Sequence, residues 1–257
     1  MIAFVLICIF VVLLVTLVLR LVGFARVRRL FSNGNTCVFG LRGRGKDMLM
    51  SNIAVRQNRP YVSNIDYGGR YIHLELDKLL IPTNFEGFIN GNITPYEYPY
   101  PEKSDIFVSD AGVYLPCQYN DRLNRNYAGL TTFAALSRHL GDCNIHYNTQ
   151  ALNRVWDKFR EQCDCYIMAV RCKVIFGFVF QTVRVYERYD AAEKCVPPCR
   201  FKAPLFGSTG KTMARIEQQK YELTYGKIKT YRLLYRNKSS YDTRIFKTLM
   251  KGCDDGE

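Results

Sequence analysis

The segment Gly40-Leu-Arg-Gly-Arg-Gly-Lys-Asp47 constrains what this chain can fold into more than any other feature. Gly40, Gly45 and Lys46 match the Walker A spacing G-x-x-x-x-G-K. Glycines let backbone amides curl around phosphates, a lysine reaches the outer phosphates, and a following helix adds the positive end of its dipole. The pattern needs a strand before it and a helix after it. The apolar run Thr36–Phe39 supplies the first and residues 48–57 (MLMSNIAVRQ) the second, with Pro60 as the breaker. Candidate phosphate contacts are Gly40, Gly43, Arg44, Gly45, Lys46 and Asp47. Asp47 stands where a Ser or Thr normally ligates magnesium. A second stretch, Gly207-Ser-Thr-Gly-Lys-Thr212, fits poorly: Leu205 replaces the first glycine and Pro204 stands where a strand belongs, so a turn is expected.

Further along, strands and helices alternate. Tyr61–Ser63, Asp105–Ser109 and Asn144–Asn148 read as strands, and Tyr127–Leu140 and Asn153–Gln162 as helices. A hairpin is expected at Arg70–Leu76, and a terminal one over Cys165–Glu187 around Gly177. Such alternation implies an α/β fold with a mainly parallel central sheet. Asp110 closes one strand at a Walker B distance from the loop. A polar residue of Asn148-Thr149-Gln150 at the end of the next strand is placed to contact a γ-phosphate or orient water. The alternative is that Thr149 and Gln150 cap the following helix.

Ile2–Leu19 contains no charge, glycine or proline. About 18 helical residues cover most of a ~30 Å hydrocarbon core, and Leu21–Ala25 lengthens the run if Arg20 snorkels to the headgroups. Without a basic leading region or small-residue cleavage site, it reads as one uncleaved transmembrane helix. Arg20, Arg26, Arg28 and Arg29 all follow it, so the N-terminus is expected outside and residues 26–257 in the cytoplasm. The formal net charge of +13 suits a polyanion: nucleic acid, nucleotide phosphate or anionic lipid. The ten cysteines are scattered, and neither Cys163-x-Cys165 nor Cys195-Val-Pro-Pro-Cys199 makes a good zinc knuckle, so reduced thiols are expected. The expected organisation is a transmembrane anchor (1–25), a basic juxtamembrane linker (26–35), a P-loop domain (36–199) and a basic Tyr/Lys-rich tail (200–257). The tail reads either as a solvated segment with surface helices or as a basic, aromatic surface for nucleic acid.

Four segments, in order, resemble the zonula occludens toxin-like family, which includes assembly ATPases of filamentous phages. They are residues 40–47 (GLRGRGKD), Arg59-Pro-Tyr-Val-Ser-Asn64, Val108-Ser-Asp-Ala-Gly112, and Ser137-Arg-His-Leu-Gly141 leading into Asn144–Gln150. The family patterns they resemble are a GxxGxGKS-like loop, RPxxTN, a DEA strand end and HRHxGxDIxxxTQ. The likeness covers about residues 36–190. It implies a P-loop NTPase of the FtsK–HerA-like branch that binds ATP and Mg2+. It also implies a homo-oligomer in the host inner membrane that works with other phage assembly or coat proteins to extrude a virion. The chain departs from the pattern in three ways: the membrane helix comes first, Asp47 replaces the loop hydroxyl, and Ser109 aligns with the magnesium-side acid. Asp47 and Ser109 have then exchanged chemistry, so that both face the ion, while Asp110 polarises water and Gln150 senses the γ-phosphate. Alternatives are a DNA-packaging or DNA-translocating motor and a non-hydrolysing membrane scaffold.

Overall fold

The computed structural model describes residues 2–79, 97–115, 133–137, 139, 141–198 and 208–240. Its strands are β1 (Thr36–Phe39), β2 (Tyr61–Ser63), β3 (Tyr71–His73), β4 (Asp105–Val108), β5 (Ile145–Thr149), β6 (Cys165–Ile175), β7 (Phe178–Tyr186) and β8 (Ile228–Arg236). They form one sheet in the order β3-β2-β4-β5-β1-β6-β7-β8. Pairing is parallel from β3 across to β6. It turns antiparallel at β6–β7 and β7–β8. Residues of β1, β4 and β5 are buried throughout, as expected for parallel strands covered on both faces.

Alternate residues of each strand serve two cores. Cys37 and Phe39 join Ile106, Val108 and Tyr147 on one face, under α3 (Ala111–Tyr114), α4 (Asp157–Arg160) and α5 (Tyr189–Glu193). Val38, Phe107 and Ile167 lie on the other, under α2 (Lys46–Ala54) and the end of α1 (Ile2–Asn33).

Helix α1 has two halves with different surroundings. Every side chain from residue 4 to 19 is exposed, and the helix is long and apolar enough to cross a membrane. Beyond Arg20 it docks on the sheet. At Gly23 the backbones come so close that a Cβ would lie 2.4 Å from the Arg232 carbonyl oxygen, and Val27 and Phe31 are fully buried. Residues 26–33 are therefore part of this helix and not the expected linker. Gly23, Val27 and Phe31 recur every helical turn on a narrow stripe, whereas Arg26, Arg28 and Arg29 face solvent and dominate the composition.

The expected tail also contributes to the domain. Ser208–Tyr225 forms α6, so Gly210 and Lys211 lie within a helix and not a turn, while Gly207 lies outside the described residues. Strand β8 then extends the sheet beside β7 and buries Leu233, Leu234 and Tyr235, so the β6–β7 hairpin is not terminal. In place of the Arg70–Leu76 hairpin, β3 is a short edge strand parallel to β2. The expected helix over Asn153–Gln162 is split into a 3-10 turn at Leu152–Arg154 and α4. Val155 and Trp156 between them are extended: Val155 is buried in the core, and the Trp156 N–H donates to the Leu115 carbonyl at 3.0 Å. Of the expected Tyr127–Leu140 helix, residues 133–137 and 139 are helical and the others lie outside the described residues.

Candidate functional site

Strand β1 ends at Phe39, and the chain turns through residues 40–45 into α2. Gly40, Gly43 and Gly45 have φ of 139°, 76° and 81°, which side-chain-bearing residues rarely adopt. Gly45 forms the left-handed N-cap, and no side chain caps the first turn, so the orphan N–H groups of α2 point out at the loop. Space is as restrictive as conformation there, since a Cβ on Gly45 would lie 2.6 Å from Cys172 Cβ. Gly45→Ala should cost about 1–3 kcal/mol in stability. A lowered melting temperature together with weakened nucleotide binding would show it; a variant matching the parent in both would contradict this account of the loop.

Lys46 is 4% exposed, and its ammonium makes no hydrogen bond or ion pair with a described residue. One position on, Asp47 faces the ends of the neighbouring strands. Its Oδ1 accepts from Ser109 Oγ at 3.1 Å and Asn148 Nδ2 at 2.8 Å. Asn148 Nδ2 also reaches Ser109 Oγ at 3.3 Å, and its Oδ1 accepts the Asp110 N–H at 2.9 Å. Asn64, just past β2, holds the Ser109 backbone from both sides: its Oδ1 accepts from Ser109 N at 2.7 Å and its Nδ2 donates to Ser109 O at 3.0 Å. Asn64, Ser109, Asp110 and Asn148 lie at or just past the C-terminal ends of parallel strands, where open α/β sheets place their sites, and Asp47 meets them from the first turn of α2. Sheet order puts β5 between the loop strand β1 and the acid strand β4, which explains how Asn148 bridges the two.

Asp110 is half-buried in left-handed backbone (φ 49°) at the start of α3. Burial pushes its carboxyl above the ordinary value, the nearby Asp47 carboxylate adds to this, and Lys46 opposes it. Lys46, Asp47 and Asp110 therefore form one electrostatic group. Gln150 is exposed one residue beyond β5; the Phe39–Thr149 register sets it beside Gly40, and it makes no hydrogen bond with a described residue. The Thr149 hydroxyl donates locally to Ala151 O at 2.9 Å. Arg42 and Arg44 are exposed, His139 is exposed, and Arg138 lies outside the described residues.

Two contributors escape a sequence reading. Asn64 and Gln181 carry no local signal of a role, although Asn64 closes the Arg59–Asn64 segment. Gln181 on β7 donates from Nε2 to the Gly45 carbonyl at 2.8 Å. It reaches the loop because β6 bulges between Ala169 and Arg171 and the hairpin bends alongside Gly45.

The donor set on the open side of the loop is made of oxygens and amides: Asp47, Ser109, Asp110 and Asn148. Oxygen donors with one or two carboxylates suit Mg2+, which takes the rest of its shell from phosphates and water. Asp47 and Ser109 fit such an ion.

No protein-family model matches the chain, and no curated protein matches it. Among solved structures, it is similar to the N-terminal domain of zonular occludens toxin from Neisseria meningitidis, with 14% identity, TM-score 0.40, and coverage of 83% of this chain and 97% of that one. It is also similar to the genome packaging NTPase B204 from Sulfolobus turreted icosahedral virus 2 in complex with ATP-gammaS, with 11% identity, TM-score 0.36, and coverage of 61% and 93%. A third is EssC (ATPases 2 and 3) from Geobacillus thermodenitrificans, with 12% identity, TM-score 0.39, and coverage of 88% and 44%.

Proposed function

We propose that this chain is a membrane-anchored P-loop ATPase that energises assembly and extrusion of a filamentous phage virion. One observation carries the reading. A glycine loop with a buried lysine opens onto Asp47, Ser109 and Asp110, gathered from a helix and a strand that are distant in sequence. In this reading the loop amides and Lys46 hold the outer phosphates of ATP, and Asp47 and Ser109 hold Mg2+. The ion supplies charge neutralisation on the β- and γ-phosphates. Asp110, a stronger proton acceptor than an ordinary Asp because of its surroundings, orients and polarises the attacking water. Gln150 senses the γ-phosphate from beside Gly40. The exposed apolar residues 4–19 suit lipid and support a membrane anchor, and the arginines that follow support a place in the host inner membrane with the N-terminus outside and the body cytoplasmic. The family resemblance of the ordered motifs between residues 40 and 150 supports homo-oligomerisation and contact with other assembly or coat proteins.

A second reading, a DNA-packaging or DNA-translocating motor, draws on one observation. Lys227, Lys229, Arg232, Arg236 and Lys238 are all exposed along and around β8. Turnover of ATP by the full chain in detergent micelles, with and without Mg2+ and with and without DNA, separates these. Mg2+-dependent turnover indifferent to DNA is expected. Stimulation by DNA favours the motor, and no turnover favours a non-hydrolysing scaffold. In the same assay Asp47→Ala should remove the Mg2+ dependence of ATP binding; an unchanged dependence would refute the exchanged roles of Asp47 and Ser109.

A further inference from the structure

A chain of contacts outside the proposed chemistry connects α1 to the phosphate loop. Gln181 is 1% exposed and pairs with Cys172 across the β6–β7 hairpin, beneath Gly45. Its Nε2 donates to the Gly45 carbonyl at 2.8 Å and more weakly to the Arg44 carbonyl at 3.4 Å. Its Oε1 accepts the Tyr235 hydroxyl at 2.8 Å. Tyr235, on β8, is buried, and burial pushes its hydroxyl well above the ordinary value, so it remains a donor. On its far side the Tyr235 ring stacks on Phe24 of α1, with centroids 4.5 Å apart and planes at 25°. The Arg56 guanidinium covers both rings, 5.3 Å from Phe24 and 5.9 Å from Tyr235.

The geometry has a consequence for the loop. In a trans peptide the C=O and the following N–H point in opposite directions. The Gly45 carbonyl is held from two sides, by Gln181 and by the Leu49 N–H of α2 at 3.0 Å, which turns the Lys46 N–H toward the open side, where a phosphate of the proposed nucleotide would sit. The Arg44 carbonyl does the same for the Gly45 N–H. The Gln181 amide also has one favoured orientation, since a flip would set Oε1 against two carbonyl oxygens. The Tyr235 hydroxyl donates only to the orientation observed, and Phe24 holds the ring that carries it.

We infer that Gln181 is a positioning residue for the phosphate loop, and that Tyr235 and Phe24 fix its orientation, so that ATP affinity depends on the docking of α1. This rests on the ATP-binding reading above. The test uses the full chain in micelles, measuring the ATP dissociation constant, the melting temperature, and hydrogen exchange without nucleotide at amides 44 and 49, which donate to the Leu41 and Gly45 carbonyls. Tyr235→Phe removes only the hydroxyl and should raise the dissociation constant about 3- to 10-fold, the worth of one orienting hydrogen bond. Gln181→Met keeps the volume, removes both ends of the link, and should raise it about 10-fold or more. Phe24→Ala should resemble Tyr235→Phe, and their combination should be no worse than the stronger single change, because both act through one hydroxyl. Val174→Ser at the exposed hairpin tip should change nothing.

Loop exchange should quicken in Gln181→Met and Tyr235→Phe beyond any change at amides 106–108 of β4, an effect that general loosening would not give. Dissociation constants within twofold of the parent in both variants would overturn the inference. If Gln181→Met melts early, Tyr235→Phe decides alone. If the parent binds no ATP, the functional reading fails separately, and unchanged amide exchange in Tyr235→Phe overturns the positioning role by itself.

Discussion

Lys46→Ala is expected to weaken ATP binding on the order of a hundredfold, roughly the worth of a charge-assisted contact to the outer phosphates. The magnitude follows from where the lysine stands. It is almost wholly buried at the start of α2 and lies close enough to Asp110 to oppose the rise of its carboxyl pKa. Removing it deletes the loop's buried cation and also leaves Asp47 and Asp110 facing an incoming triphosphate without it. The exposed Arg42 provides the contrast: Arg42→Ala should change the affinity by less than about threefold, because its charge is screened by solvent. Equal losses in the two variants would mean that net charge holds the nucleotide and the loop does not. Titration of a fluorescent ATP analogue against both variants in micelles measures the difference.

Arg59→Met should destabilise the fold by about 3 kcal/mol, the low end of the range for breaking a buried ion pair. The low end applies because Arg59 is itself 34% exposed and partly screened. Its partner Asp105 is wholly buried where the sheet strands begin. There the carboxylate accepts from Arg59 Nη2 at 2.9 Å, Gln57 Nε2 at 2.8 Å and the Asn144 N–H at 3.0 Å. One side chain thus ties the approach to β2, the start of β4 and the approach to β5. Burial alone would push the Asp105 carboxyl up. His146, 3.8 Å away, the Asn144 N–H and Arg59 outweigh it and hold the group below its ordinary value of 3.8.

The direction of the shift sets the pH response. A carboxyl lowered in the folded state contributes stability above its unfolded value, and that contribution is lost as pH falls through the folded one. Arg59→Met removes part of the lowering, so acid unfolding should begin at higher pH than in the parent. A fall in melting temperature of about 6–12 °C at neutral pH, narrowing under acid as Asp105 takes up its proton in both proteins, is expected from thermal melts. Parent-like melting across that range would show that the pair contributes nothing.

The parts of this fold written in local pattern were legible in the sequence. Glycine spacing located the loop, and short runs rich in apolar and aromatic residues located β1, β2 and β4, as parallel strands buried on both faces require, whereas β5 keeps polar His146, Asn148 and Thr149 buried in its length. The site was legible as far as it is local: the loop, Ser109 and Asp110 could be named, and the idea that Asp47 meets Ser109 came from two departures in one pattern. What was not legible depends on distant partners. Val27 and Phe31 are a thin apolar stripe among arginines, and their burial requires a sheet that the sequence does not display. Residues 228–236 looked like tail because Lys229, Arg232 and Arg236 flank the short run Leu233, Leu234 and Tyr235. The extended break at Val155 was hidden because helix propensity is decided there by a buried side chain and one backbone hydrogen bond. Asn64 and Gln181 do their orienting through amides, which look alike wherever they occur.

The central claim is that the Gly40–Asp47 loop holds a nucleotide through phosphates and a shared metal ion. Calorimetric titration of the full chain in micelles with ATP, once with Mg2+ and once with EDTA, tests it most directly. Saturable binding that Mg2+ tightens, and that Asp47→Ala leaves insensitive to Mg2+, is expected. Absence of saturable binding in both conditions, with the protein folded by its melting curve, would contradict it.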